Sequence, residues 1–244
     1  MKNIKLTIEY DGTDFNGWQI QPNQRTIQDE IQKAVKIMCR QDIKIYGAGR
    51  TDAGVHAKGQ VANFHINSHI SCNRFAPALN SILPKDIVIK KSIEVDKGFH
   101  SRYSAVAKEY KYIIYNDTTR SSILRNYSYY VNYNLDIQKM QRASKTFIGT
   151  YDFKSFMSSG SSIGDTVRTI YSLNIESEKN IIEITIKGNG FLYNMVRIIV
   201  GTLVDIARGK IQEKAVKNIL YSKNRETAGH TAPAQGLYLQ QVFY

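Results

Sequence analysis

Cysteine is nearly absent from this chain. Its 244 residues include two, Cys39 and Cys72, far apart and in no C-x-x-C pair or zinc-ligand spacing. That pattern excludes a disulfide framework and a thiolate metal site, and fits free thiols in a reducing compartment. A long apolar run is missing too. The most apolar stretch, Phe191 to Ala207, falls short of the roughly 20 residues a membrane span needs. It also carries Asn194, Arg197 and Asp205, so it predicts a buried helix. The opening residues, MKNIKLTIEYDG, lack the apolar core of a secretion signal. A cytoplasmic location with no membrane partner is therefore expected. Low-complexity segments do not occur, and a chain of this length buries enough apolar surface to need no metal or disulfide staple.

Acidic residues are also in deficit. Asp and Glu number 21 against 33 Lys and Arg, a net charge of +12. Residues 1–104 hold 15 basic and 10 acidic side chains, and residues 105–244 hold 18 and 11. Both halves share the excess, so it belongs to a folded surface rather than to a tail. Such a surface attracts polyanions through counterion release, which makes nucleic acid a natural partner, although many basic proteins bind none.

The apolar periodicity sets the fold. Residues 4–10 alternate as a half-buried strand, and Asp11-Gly12 turns it. Thr26 is placed as the N-cap of a helix whose apolar face is Ile27, Ile31, Ala34, Val35 and Met38. Strands are expected at Ile43–Tyr46, Gln60–Ile66 and Ile87–Val95, with a short helix at Arg74–Leu83. This order, strand, helix, two strands, helix, strand, is the split ferredoxin-like pattern. The second half repeats it loosely. Its strands are expected at Ala107–Tyr115, Val167–Glu176, Ile181–Lys187 and Leu237–Phe243. Its helices are expected at Asp136–Ile148, Phe191–Arg208 and Gln212–Tyr221. Arg120–Asn134 is expected as a surface excursion and Ser158–Asp165 as a flexible loop. The expected fold is α+β: two ferredoxin-like (RRM-like) lobes, 1–104 and 105–244, whose sheets merge into one mostly antiparallel platform flanked by helices, with a ligand cleft between the lobes.

One loop carries chemistry. Gly47-Ala-Gly-Arg-Thr-Asp-Ala-Gly-Val-His56 matches neither a dinucleotide fingerprint nor a phosphate-binding P-loop. Gly47, Gly49 and Gly54 permit positive φ and close approach of a ligand. Arg50 and Asp52 stand two apart, so their heads can meet, and a guanidinium keeps a neighbouring carboxylate ionised. An ionised carboxylate is a competent nucleophile. The plainer alternative is an Asp that caps a turn. Arg197 sits in an apolar helix, two turns from Asp205 and out of its reach. A buried guanidinium needs an anionic partner, for which Asp52 is the candidate, unless Arg197 reaches solvent at the helix edge. Tyr110 and Tyr112 share a strand face among lysines, a pattern that suits base stacking and equally suits a sheet core. His56 is a candidate RNA contact. His65 and His69 do not read as a metal pair, and no metal site is expected.

Several strings together resemble the tRNA pseudouridine synthase A family: GRTDAGVHA at 49–57, YDGTDFNGWQIQP at 10–22, FHSRYSA at 99–105, KEYKY at 108–112, GNGFLYNMVRIIVGTL at 188–203 and APAQGLYL at 232–239. They run from end to end in the family's order. Ser101 and Tyr103 stand where the family often has Ala and Phe, and Ser121–Arg125 departs from a D-P-F-L-R string. The resemblance implies Asp52 as the essential aspartate and Arg50 as the arginine that pairs with it and helps displace the base. It implies Tyr110 as the ring that stacks on the flipped uracil and Arg197 as the holder of the aspartate. It further implies a homodimer that isomerises uridines at tRNA positions 38 to 40, in the anticodon stem-loop. That reaction has no redox step and no group donor, so no cofactor is expected. The rivals are a non-catalytic RNA-binding module, which leaves Asp52 unexplained, and a nucleoside hydrolase, which usually needs two carboxylates.

Overall fold

A computed structural model describes residues 1–160 and 163–244. Ser161 and Ser162, within the loop expected at Ser158–Asp165, lie outside the described residues. The chain divides into two units, Met1–Val106 with Tyr238–Tyr244, and Ala107–Leu237. The division falls between Val106 and Ala107, beside the boundary expected between residues 104 and 105, and the last seven residues lie with the first unit. Among the described residues no helix is long and apolar enough to cross a membrane.

The first unit starts with β1 (Lys2–Tyr10), whose Ile4, Leu6, Ile8 and Tyr10 point into the core. α1 (Ile27–Cys39) buries Ile27, Ile31, Ala34 and Val35, as its 3.6-residue spacing predicts. It ends at Arg40, which takes a left-handed conformation and returns its N–H to the Lys36 carbonyl. Thr26 holds the N-cap position but makes no side-chain cap bond. β2 is only Tyr46–Gly47, shorter than expected, because α1 takes the preceding backbone. Gln32 Oε1 accepts from Ile45 N–H, and Gln28 Nε2 donates to the Ile45 carbonyl. β3 (His56–Ile66), α2 (Phe75–Asn80) and β4 (Ile87–Val95) follow. The sheet order is β4-β1-β3, with β2 also on β3 and each of these pairs antiparallel, which is the ferredoxin-like arrangement. The last strand of the chain, β10 (Leu237–Phe243), runs parallel to β3, pairing Tyr238 with His56 and Leu239 with Ala57.

In the second unit β5 (Ala107–Asn116) pairs antiparallel with β9 (Ile181–Gly188), β9 with β8 (Val167–Glu178), and β8 with β7 (Gly149–Asp152). The order β5-β9-β8 repeats that of β1-β3-β2. The expected surface excursion at 120–134 is only partly one. It contains β6 (Tyr129–Val131), which runs parallel to β5 and buries Val131. Asn116 pins it by donating to the Val131 and Tyr133 carbonyls. α3 (Ile137–Ser144), α4 (Met195–Ala207) and α5 (Ala215–Ser222) complete the unit. α4 buries twelve of its thirteen residues, Arg197 excepted.

Candidate active site

The Gly47–His56 loop leaves β2 and enters β3, and the segment after β1 fixes its backbone. Trp18 N–H donates to the Thr51 carbonyl at 3.0 Å, and Gly54 N–H donates to the Phe15 carbonyl at 3.2 Å. The Thr51 hydroxyl is hydrogen-bonded to Tyr10 Oη at 2.7 Å. Burial pushes the Tyr10 phenol up, against the lowering influence of the Thr51 and Gln60 hydrogen bonds, so it stays neutral. Asp52 opens a turn in which its carbonyl accepts from Val55 N–H at 3.2 Å. Gly54, third in that turn, takes the positive φ of 75° that such turns require. Asp52 is half-buried, at the tip of a loop whose flanking backbone groups are bonded.

Two glycines let the segments meet. A Cβ on Gly12 would collide with the Val55 carbonyl, and one on Gly17 with the Thr51 carbonyl. Behind the loop, a Cβ on Gly47 would lie 2.5 Å from the Trp18 indole. The clamp formed by Tyr10, Gly12, Gly17 and Trp18 was not assigned from periodicity. Its signal was the pair of glycines in YDGTDFNGWQ.

His56 is not presented to a ligand. It is 2 % exposed, and its ring stacks on Tyr238 at 4.8 Å. Gly12 N–H donates to Nδ1 at 3.0 Å, which places the lone pair there. Asp11 Oδ1 lies 3.1 Å from the same nitrogen and also accepts the N–H and hydroxyl of Thr13, so the carboxylate ties the turn after β1 to this ring. The expectation of an RNA contact is corrected: this histidine anchors the loop's end. The expected Arg50–Asp52 pair is corrected as well. Arg50 is exposed, and among the described residues no ion pair joins it to Asp52. Thr51, between them, is tied inward through both its hydroxyl and its carbonyl.

Tyr110 and Arg197 belong to the second unit. Tyr110 is 8 % exposed, with its ring edge-on to Phe191 at 5.2 Å. Tyr112, on the same strand face, is core, and its hydroxyl donates to the Pro233 carbonyl at 2.7 Å. Burial pushes its phenol well up, and its full burial with a bonded hydroxyl fits the sheet-core alternative. Arg197 is half-buried in the first turn of α4. Its Nε donates to the Ala232 carbonyl and its Nη1 to Asn194 Oδ1, both at 2.7 Å. The segment carrying Ala232 is itself held on α4. Gly229 N–H donates to Thr202 Oγ1 at 2.9 Å, and Asp205 Oδ2 accepts the backbone N–H of His230 and faces its Nδ1 at 2.9 Å. Gly201 makes this approach possible, because a Cβ there would collide with the His230 carbonyl. Asp205 thus has its partner in His230, as its distance from Arg197 along the helix requires.

Among the described residues no group of three or more His, Cys, Asp or Glu side chains is placed to hold a metal ion.

Comparison with known proteins identifies the chain. A family model described as tRNA pseudouridine synthase matches residues 6–104 and 143–244. Proteins named tRNA pseudouridine synthase A from Acetivibrio thermocellus and Thermoanaerobacter sp. are 53% and 50% identical over 244 residues, covering all of this chain and all of each relative. One from Bacillus pumilus is 47% identical over 99% of this chain and 98% of its own length. Likeness to solved structures is weak. The crystal structure of an archaeal box H/ACA sRNP Nop10-Cbf5 complex aligns at a TM-score of 0.38 and 11% identity, covering 83% of this chain and 43% of that one. From the family match and the full-length relatives, the chain belongs to the tRNA pseudouridine synthase family, isomerases that convert uridine to pseudouridine in tRNA.

Proposed function

We propose that Asp52 is the nucleophile of this isomerisation and that the substrates are uridines 38 to 40 of the anticodon stem-loop, bound by a homodimer. Net reaction breaks C1′–N1 and forms C1′–C5. N1 gains a proton and C5 releases one, so atoms balance without a donor or an oxidant. Attack on C1′, attack on C6 and glycal formation all require the carboxylate to be ionised. A fixed guanidinium favours that form more strongly in a site from which water is excluded. Arg197 is proposed for this role, because two hydrogen bonds preset its planar head. Arg50, exposed and outside any ion pair with Asp52, is proposed to fill the gap left when the target base is extruded. Tyr110, braced by Phe191, is proposed to stack on the extruded uracil. Gly54 permits close approach of the nucleotide to the turn that carries Asp52.

The observation that supports this reading best is the backbone clamp on residues 51–55. It holds an aspartate that is neither buried nor loose, as a preorganised nucleophile requires. The test is release of tritium from C5-labelled uridine in tRNA. Native protein should release label. Asp52→Ala should release none while still binding tRNA. Unchanged release by Asp52→Ala removes this residue from the mechanism, and tRNA binding without release by the native protein returns the RNA-binding alternative. Labels placed singly at positions 38, 39 and 40 test the proposed targets.

A further inference from the structure

The turn at Phe99–Ser104 carries an exposed tyrosine on a buried, fully hydrogen-bonded polar support. Asn3, Asn63 and Ser101 are buried at 1 %, 0 % and 0 % exposure. Burying such groups is unfavourable unless each is hydrogen-bonded. Here the bonds converge on the turn. Asn63 Nδ2 donates to Asn3 Oδ1 at 3.0 Å, and Asn3 Nδ2 donates to the Asp96 and Phe99 carbonyls, both at 2.9 Å. Ser101 N–H donates to Asn63 Oδ1 at 2.8 Å, and its hydroxyl donates to the Tyr46 carbonyl. Tyr244 Oη donates to the Ser101 carbonyl at 2.9 Å. His100 and Ser104 close the turn with a reciprocal pair of bonds.

This frame displays a row of rings. Tyr46 lies 4.9 Å from His100, and His100 lies 4.4 Å from Tyr103, with tilts of 48° and 38°. Tyr103 ends the row at 77 % exposure. Arg102 Cζ stands 5.7 Å from its centroid, and Lys44 Nζ stands 5.5 Å from that of Tyr46. Asp96 and Lys97, just before the turn, offset one another in charge. Tyr46 also opens the loop that carries Asp52. Single exposed aromatics are ordinary. An immobilised one, at the open end of a ring stack with a cation at either end, offers a π-face to a base and a charge to its phosphate.

We propose that Tyr103, backed by His100 and Tyr46 and flanked by Arg102 and Lys44, is a second tRNA contact, a platform for one unpaired base. The proposal rests on tRNA being the substrate. The full chain is tested for tRNA affinity, turnover and fluorescence. Tyr103→Ala should weaken tRNA binding about tenfold, with kcat at saturating tRNA unchanged, and Tyr103→Phe should bind like the native protein. Arg102→Gln should lower the slope of log affinity against log salt by about 1, which Tyr103→Ala should not do. Tyr103→Trp adds an exposed indole to the buried Trp18, and saturating tRNA should quench it. Native affinity in Tyr103→Ala, or an unquenched Tyr103→Trp, overturns the platform while the tritium assay still reports on Asp52. A change in oligomeric state with unchanged tRNA affinity would also overturn it, by assigning the rings to a protein contact.

Discussion

Replacing Gly17 with alanine perturbs Asp52 without altering its side chain. Gly17 has φ +83°, a conformation that costs an L-residue about 1–2 kcal/mol. The added Cβ would strike the Thr51 carbonyl oxygen and lie 3.1 Å from the Asp52 carbonyl carbon and 3.2 Å from Ala53 N. All three are backbone atoms, so no side chain can rotate away and the turn itself must retreat. Overpacking of this kind costs roughly 1–3 kcal/mol. The sum, about 2–5 kcal/mol, is less than a mid-range native stability of about 10 kcal/mol, so most of the chain stays folded at that stability, and the thermal melt checks it. The effect on rate is separate: if Asp52 is the reacting group, displacing it by about 1 Å can cost about 100-fold. Tritium release under saturating enzyme, beside a thermal melt and a tRNA-binding titration, separates these effects. Gly17→Ala should lose about 100-fold in rate while retaining tRNA affinity. Gly98→Ala is the control, because a Cβ there meets nothing within 4 Å. A native rate in Gly17→Ala would show that the clamp does not set the position of Asp52.

The two arginines should differ in their tolerance of lysine. Arg197→Lys removes the Nε donor to Ala232 and leaves that carbonyl or Asn194 Oδ1 unsatisfied, a cost of about 1–3 kcal/mol, whereas Arg50→Lys keeps a cation at an exposed position. A kcat loss confined to Arg197→Lys is expected, and equal losses would refute the division. For pH dependence, Asp152 is informative. Burial pushes its carboxyl up, but the Thr166 hydroxyl and the Lys223 ammonium outweigh that and hold it below the ordinary range. Its stabilisation is complete above the unfolded value of about 3.9 and lost as pH falls through the lower folded value. Melting temperature should therefore fall less steeply in this acid range for Asp152→Asn than for the native chain, and parallel curves would count against the assignment.

What was legible in the sequence was whatever one element decides alone. The alternation in β1 placed Ile4, Leu6, Ile8 and Tyr10 inward, and the helical spacing placed the core face of α1. The strands β8 and β9 were readable because each alternates on its own side of a short polar break. Elements shaped by a neighbour were read less well. β2 is short because α1 side chains take the backbone groups of Ile45. β6 exists because Asn116, on another strand, captures the carbonyls of Val131 and Tyr133. Neither partner is near its target in sequence, so no window of periodicity contains both.

The same rule divides the loop's residues. Asp52 stands out only through the longer string around it, since an Asp among glycines equally opens a turn, as it does here; the positive φ of Gly54 was legible because that turn demands it. His56 was misread because a ring nitrogen serves an RNA phosphate and a buried backbone N–H alike, and the deciding partner, Gly12, lies 44 residues away. Arg50 was misread for the opposite reason. Sequence proximity suggested contact, while Thr51 between them is drawn inward by Tyr10 and Trp18. The outcome makes chemical sense. Under the proposed mechanism, a guanidinium locked onto the nucleophile could not also swing into a base stack, so the proposal gives displacement of the base to the exposed Arg50. Stabilising the carboxylate calls instead for an arginine fixed in advance, and Arg197, held by Ala232 and Asn194, has that property within its own unit.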